Sequence, residues 1–272
     1  MRFRVLGPLE VDDGGARITI AAPKQRALLT LLLVHHDERV SVDRIADALW
    51  GEAPPATAVK TVQVYIGQLR KALGEAVLVT SAGGYTAVLG GHDLDLVRFE
   101  RLLGEGTRLL EDGDPRAART VLADAVALWR GPGLEDLPDG EDARRLADQR
   151  LLALERRIDA DLALGRHDAV VAELRALVAR HPLDEGLRER LMLALYRSGR
   201  QAEALAAHRE GRALLVDELG LEPGPRLQAL ERAILAQDPA IDAPARTGAP
   251  VAPVAAVAPA KGGRPAQEWR KR

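Results

Sequence analysis

Two passages of this chain carry nearly the same text, and the distance between them limits what more than half of it can fold into. Ala163-Leu164-Gly165-Arg166 runs on to Ala169, and Arg197-Ser198-Gly199-Arg200 runs on to Ala202 and Ala204; the two glycines stand 34 residues apart. That is the period of a tetratricopeptide repeat, whose helical hairpins put a glycine in the turn and a small residue where helices pack. From Asp93 to about Pro239 amphipathic segments follow one another, broken at Gly113-Asp114-Pro115, Gly131-Pro132-Gly133, Gly165, His181-Pro182, Gly199 and Gly220 to Pro225. Gly113 with Ala117-Ala118 is a less regular earlier copy, and Pro182 and Pro223 close their units. A helical hairpin cannot bury its apolar face alone and stacks on the next one. The spacing therefore predicts an all-α, tetratricopeptide-like domain over residues 93–240. With only two Phe, three Tyr and three Trp, the interior must be filled by Leu, Ala and Val, which suits helix-on-helix packing.

Residues 1–92 obey a different pattern. Phe3, Val5, Ile18 and Ile20 alternate with polar residues around Asp12-Asp13-Gly14-Gly15, which reads as a small β element with a turn. Pro23 suits the first turn of a helix, and Ala27 to Val34 is apolar nearly all round, as in a central core helix. Ser41 is a good N-cap for a second helix whose face is Val42, Ile45, Ala46 and Leu49, ended by Gly51 and Pro54-Pro55. Thr57 is a candidate N-cap for a third. There Val59, Val62, Ile66, Leu69 and Leu73 form one apolar stripe, and Gly74 closes the helix. Val77 to Thr80, a Ser-Ala-Gly-Gly turn and Tyr85 to Leu89 read as a hairpin, with Tyr85 packed beneath it. Three helices and a C-terminal hairpin are the parts of a winged helix-turn-helix, and this unit is expected to close its own core. The loop Gly51 to Ala56 is longer than the tight turn of the simple motif. The fold class is thus mainly α: a winged helix-turn-helix with small β elements, then the all-α repeat domain. Residues 241–272, rich in Ala, Pro, Val and Gly, read as a disordered tail or linker.

The net charge of −2 hides an asymmetry: residues 1–92 carry +1, residues 93–240 carry −7 and residues 241–272 carry +4. Between Ala53 and His92 the only acid is Glu75, while Lys60, Arg70 and Lys71 lie there. With no Cys there is no disulfide framework, thiolate metal site or cysteine nucleophile. No phosphate-binding G-x-x-x-x-G-K-[ST] loop and no G-x-G-x-x-G after a strand is present. The six His do not cluster: His35-His36 ends a helix, and His167, His181 and His208 fall at repeat positions without ligand spacing. Glu141-Asp142 and Asp217-Glu218 read as solvated faces. No enzyme activity, metal or cofactor is implied. No apolar run is long enough for a membrane span, and the charged start broken by Gly7-Pro8 is no signal peptide, so the expected compartment is the cytoplasm.

At this point the residues resemble a known family. Val40-Ser41-Val42-Asp43-Arg44-Ile45-Ala46-Asp47-Ala48-Leu49-Trp50-Gly51 leads through Pro54-Pro55-Ala56-Thr57-Ala58 to Val62-Gln63-Val64-Tyr65-Ile66-Gly67-Gln68-Leu69-Arg70-Lys71-Ala72-Leu73-Gly74. Further on stand Asp95-Leu96-Val97-Arg98-Phe99, Ala127-Leu128-Trp129-Arg130-Gly131 and Asp217-Glu218-Leu219-Gly220-Leu221-Glu222-Pro223. Over about residues 1–240 this resembles the Streptomyces antibiotic regulatory proteins, in which an OmpR-type winged helix precedes a bacterial transcriptional activator domain. The resemblance implies a sequence-specific activator that binds direct repeats of double-stranded DNA near promoter −35 regions. It also implies recruitment of RNA polymerase holoenzyme, pairing with a second copy on DNA and control of secondary metabolism. Larger members continue into a nucleotide-binding module; the resemblance leaves open whether residues 241–272 begin the linker to such a module or end a short member.

Base edges in the major groove carry the sequence, whereas phosphate contacts only position a protein. On the third helix, Thr61 and Gln68 can hydrogen-bond base edges, and Val64 suits a thymine methyl. Lys60 and Lys71 are flexible point charges for phosphates. Thr57 shares their stripe, and the resemblance adds Arg70 to the DNA face. Lys24 and Arg26 open the first long helix, where free N–H groups favour phosphate. In the wing, Thr80, Ser81, Gly83 and Gly84 offer hydroxyl and backbone groups, but no base stands there to enter the minor groove. Lys261-Gly262-Gly263-Arg264-Pro265 lacks the first Arg of an AT-hook core and is read as linker text. The rival reading is a tetratricopeptide scaffold that binds proteins and not DNA.

Overall fold

A computed structural model describes residues 1–131, 135–137 and 140–242. Tail residues 243–272, with their AT-hook-like text, and part of the Gly131-Pro132-Gly133 break lie outside the described residues.

The chain opens with β1 (Arg2–Arg4), β2 (Glu10–Asp13) and β3 (Ala16–Ile18), antiparallel neighbours in the order β3-β2-β1. Asp12 and Asp13 belong to β2, so the turn is Gly14-Gly15 alone, at φ 56° and 97°. Positive φ at both central residues suits a two-residue hairpin loop. The helices α1 (Pro23–Val34), α2 (Val42–Trp50) and α3 (Ala58–Leu73) follow. Leu28 to Val34 are all buried, as a helix apolar all round requires. Ser41 caps α2 by accepting from the N–H of Arg44 at 3.2 Å. Val40–Ser41 forms a short strand, β4, beside the hairpin of β5 (Leu78–Ser81) and β6 (Gly84–Ala87), giving a sheet ordered β4-β6-β5. Tyr85 is buried under it.

Helices α4 (Asp95–Glu111), α5 (Pro115–Ala127), α6 (Glu141–Ala163), α7 (His167–Arg180), α8 (Glu185–Arg197), α9 (Gln201–Leu219) and α10 (Pro225–Ala236) make the repeat. The turns at Gly113, Gly165 and Gly199 join α4 to α5, α6 to α7 and α8 to α9, all with positive φ. Leu227, Leu230 and Ile234 of α10 cover the last hairpin.

The apolar core does not divide where the pattern changes. One cluster runs from Phe3 through the three N-terminal helices to Leu94, Phe99, Trp129 and, along α6, Leu146, Ala153 and Ala160, and a second takes Ile158 and Leu162 of the same helix. The two meet inside α6 at Asp161, only 2% exposed, whose carboxylate accepts from Arg119 at 2.6 Å and Arg157 at 3.0 Å. The expectation of a self-contained core in residues 1–92 is therefore corrected. Asp93–Leu94 forms β7, which pairs parallel with β1 at the sheet edge.

Three carboxylates hold the winged helix against the first helical hairpin. Asp95 accepts from the N–H groups of Val5 at 2.8 Å and Leu6 at 3.1 Å. Asp136 accepts from the N–H of Leu9 at 2.8 Å and from Arg26 at 2.6 Å. Asp142 lies 2.9 Å from His35 Nε2 and 3.0 Å from Arg44. Asp142, expected on a solvated face, is instead enclosed by its two partners. Gly7, at φ 136°, lies against Arg130, where a Cβ would come within 2.6 Å of the Arg130 carbonyl oxygen.

Candidate nucleic-acid interface

The α3 helix buries Ala58, Val62, Ile66, Leu69 and Leu73 against the core. Its opposite face is bare. With about 100° between residues, Val64 stands at the centre of that face, flanked by Lys60, Gly67, Gln68 and Lys71. Val64 is 50% exposed, and the other four are exposed as well. Val59, expected in the buried stripe, is instead 54% exposed. No acid lies anywhere in α3. A Cβ on Gly67 would meet nothing within 4 Å, so packing does not call for glycine there.

The helix start is open. Thr57 occupies the N-cap position but makes no side-chain cap. Its carbonyl takes both the N–H of Thr61 at 2.8 Å and the Thr61 hydroxyl at 2.9 Å. The expected cap by Thr57 is thus corrected, and Thr61, half-buried, already spends its donor on the backbone. Without a cap or a first-turn acid, the positive end of the α3 dipole faces outward.

Arg70 does not point to the same face. Its Nε donates to the Leu78 carbonyl at 2.8 Å and its Nη2 to the Thr80 hydroxyl at 2.8 Å, with the guanidinium 6.0 Å from the Tyr85 ring centre. It braces the wing to the helix, and both it and Thr80 are occupied. Ser81 pairs its hydroxyl with that of Thr86 at 3.1 Å. Gly84 is buried, and a Cβ there would come within 2.2 Å of the Val40 carbonyl oxygen. Its role is close strand packing, which corrects the assignment of Gly84 to the DNA backbone. Gly83 stays exposed in the turn at φ 75°.

The wing has a cation that its own sequence lacks. Arg39, exposed just before β4, donates to the Ala82 carbonyl at 2.8 Å. A local reading of Ser81 to Gly84 could not find it; the strand pairing of Val40 with Tyr85 carries it there.

At the start of α1, Lys24 donates to the Leu49 carbonyl at 2.5 Å and lies 5.2 Å from the Trp50 ring centre. Arg26 binds Asp136 and the carbonyls of Ile20 and Ala21. Both side chains expected on phosphates are thus engaged within the molecule, Arg26 as part of the junction between its two halves. The residue of this turn that reaches α3 is Gln25, whose amide Nε2 donates to Gln68 Oε1.

Elsewhere the carboxylates of the junction feel their surroundings. Burial pushes the Asp95 carboxyl above its ordinary value, although the Val5 and Leu6 N–H groups and Arg130 oppose it. Burial works on Asp142 in the same sense, but the hydrogen bond from His35 and the charges of His35 and Arg44 outweigh it and hold that carboxyl low. Among the described residues no group of His, Asp or Glu gathers as a metal site, and no helix is long and apolar enough to cross a membrane.

Known proteins share this arrangement. Residues 94–235 match the bacterial transcriptional activator domain, and residues 17–86 match the C-terminal domain of transcriptional regulatory proteins. Regulatory protein DnrI of Streptomyces peucetius is 42% identical, over 95% of this chain and 99% of its own length. Regulatory protein AfsR of Streptomyces coelicolor is 47% identical over 89% of this chain but only 25% of its own length, and AfsR of Streptomyces griseus is matched over 26% of its length. The chain thus spans about a quarter of the AfsR relatives. The solved structure of Mycobacterium tuberculosis EmbR in complex with a low affinity phosphopeptide is 38% identical, with a TM-score of 0.80, over 88% of this chain and 65% of that one.

Proposed function

This chain belongs to the Streptomyces antibiotic regulatory proteins, transcriptional regulators with an OmpR-type winged helix ahead of a bacterial transcriptional activator domain, and on that premise we propose that it activates transcription by laying α3 in the major groove of promoter DNA. The observation that carries this is the bare, acid-free face centred on Val64, with Lys60 and Lys71 on it and nothing packed over it. Val64 meets a thymine methyl, Gln68 and the Thr61 oxygen meet base edges, and the lysines and the open α3 start at Thr57 hold phosphates. The wing turn at Gly83, with Ser81 and Arg39, tracks the neighbouring backbone.

Residues 1–92 read DNA, and residues 93–240 hold the reader in place. The acidic helical domain is ill suited to lie on phosphates, so it faces a second copy or RNA polymerase. Two copies sit head to tail on a direct repeat near the −35 region, in the cytoplasm, and the genes controlled are those of secondary metabolism. DnrI and AfsR, named as regulatory proteins, support this assignment.

Nuclease footprinting of the full chain on genomic fragments tests the proposal. Protection of a discrete, repeated sequence at low salt, weakened as salt rises, is the expected result. No binding would favour the protein scaffold instead, and binding without sequence preference would refute base readout by α3.

A further inference from the structure

A glycine inside a helix weakens it, because the residue gives up more freedom on folding than alanine does. Two of the glycines inside helices are explained by packing: a Cβ on Gly106 would come within 2.4 Å of Leu122, and one on Gly211 within 2.2 Å of Arg188. Gly67 in α3 and Gly104 in α4 are not, since a Cβ on either would meet nothing within 4 Å, and neither has a positive φ. Gly104 stands exposed on the helical domain. Gly67 stands on the bare face of α3, near the middle of the helix and about one turn on from Val64. Arg70, the next residue along that side, is drawn away to the wing by the Leu78 carbonyl and the Thr80 hydroxyl, and the side chains around Gly67 leave a hollow.

A hollow at this place governs reach. An α-helix with its side chains is about 10–12 Å across and the major groove is about 12 Å wide, so the fit leaves little slack. Val64 ends in two methyl groups on its Cβ. It touches a thymine methyl only when the backbone of α3 lies close to the bases, whereas Lys60 and Lys71, on flexible four-carbon stems, reach phosphates from further out. Each carbon added at position 67 would hold the backbone off by up to about 1.5 Å, the length of one bond. We infer that Gly67 is a positioning residue, which lets α3 settle deep enough in the groove for Val64 to touch its base. The inference rests on α3 being the helix that reads DNA, and it adds a determinant of specificity that has no side chain of its own.

The test compares the full chain with Gly67→Ala, Gly67→Leu, Gly104→Ala and Val64→Ala in shift assays, on the duplex protected in footprinting and on a random-sequence duplex, with thermal unfolding alongside. Gly67→Ala and Gly104→Ala should each raise the unfolding temperature by about 2–4 °C. Gly104→Ala should keep the wild-type affinity for both duplexes. Gly67→Ala should bind the protected duplex about tenfold more weakly, and Gly67→Leu more weakly still, while the random duplex, held through its phosphates, is bound as by the wild type. A more stable protein that discriminates less is a result that a role in packing would not give. If Gly67→Ala keeps or gains affinity for the protected duplex, close approach at Gly67 is overturned, and the reading by α3 still stands where Val64→Ala loses affinity. If Gly67→Ala weakens both duplexes alike, or unfolds at a lower temperature than the wild type, the inference also falls. If Val64→Ala and Gly67→Leu both bind the protected duplex as the wild type does, α3 does not lie against the bases, and both are lost.

Discussion

Replacing Asp95 should loosen the grip between the two halves of the molecule. Its carboxylate is the acceptor for two backbone N–H groups, those of Val5 and Leu6, and both residues are fully buried. Asp95→Ala strands both donors in the core, and a buried donor without a partner costs about 1–3 kcal/mol. Some of this returns, because the burial that raises the Asp95 carboxyl is relieved when the carboxyl is removed. The Arg130 guanidinium keeps Glu10, 3.1 Å from its Nη1, but its buried Nη2, 3.7 Å from Asp95, has no hydrogen bond and loses its nearby acid, which adds to the loss. The net loss should be about 2–4 kcal/mol for Asp95→Ala, and about half of that for Asp95→Asn, which keeps one oxygen. Urea unfolding followed by tryptophan fluorescence suits the question, since Trp129 sits in this core 5.4 Å from Phe99. An Asp95→Ala variant within about 0.5 kcal/mol of the wild type would refute the argument that these bonds hold the β1 edge to α4.

Other outcomes follow from the same geometry. Asp142 is held below its ordinary 3.8, so its contribution to stability is present above that value and lost as pH falls through the lowered one. Asp142→Asn should therefore be less stable than the wild type at neutral pH, with the difference closing in acid, as read by unfolding at a series of pH values. Lys60→Ala and Lys71→Ala should weaken binding to all duplexes alike and reduce the salt slope by about one each, whereas Lys24→Ala should leave the slope unchanged because its ammonium is already bound to Leu49. Inserting about five base pairs between half-sites, half a helical turn, should abolish cooperative binding and activation, and about ten should restore binding in a shift assay.

Much of this was legible in the sequence because it is local. The period in α3 from Val62 onward, the Ser41 cap and the 34-residue glycine spacing each lie within one or two elements and survive in the structure. What was not legible depends on distant partners. Nothing near Ser81 announces Arg39, which strand pairing delivers to the wing. The acid that ties up Arg26 is 110 residues away, and the one beside His35 is 107 away, so a phosphate ligand and a solvated acid were the local readings of what is a domain junction. Resemblance alone put Arg70 on the DNA face, but the Leu78 carbonyl and the Thr80 hydroxyl draw it to the wing.

The placement of α3 is the claim on which the rest depends, and a photo-crosslink addresses it directly. Thymines of the protected duplex are replaced by 5-bromouracil, which sets a reactive bromine where the methyl group stood in the major groove. After irradiation of the complex with the full chain, the attached peptide is identified by mass spectrometry. Attachment within Ala58–Leu73, at Val64 or its neighbours on the same face, is the result this account predicts. Attachment confined to α4–α10, or to the buried side of α3, would contradict it.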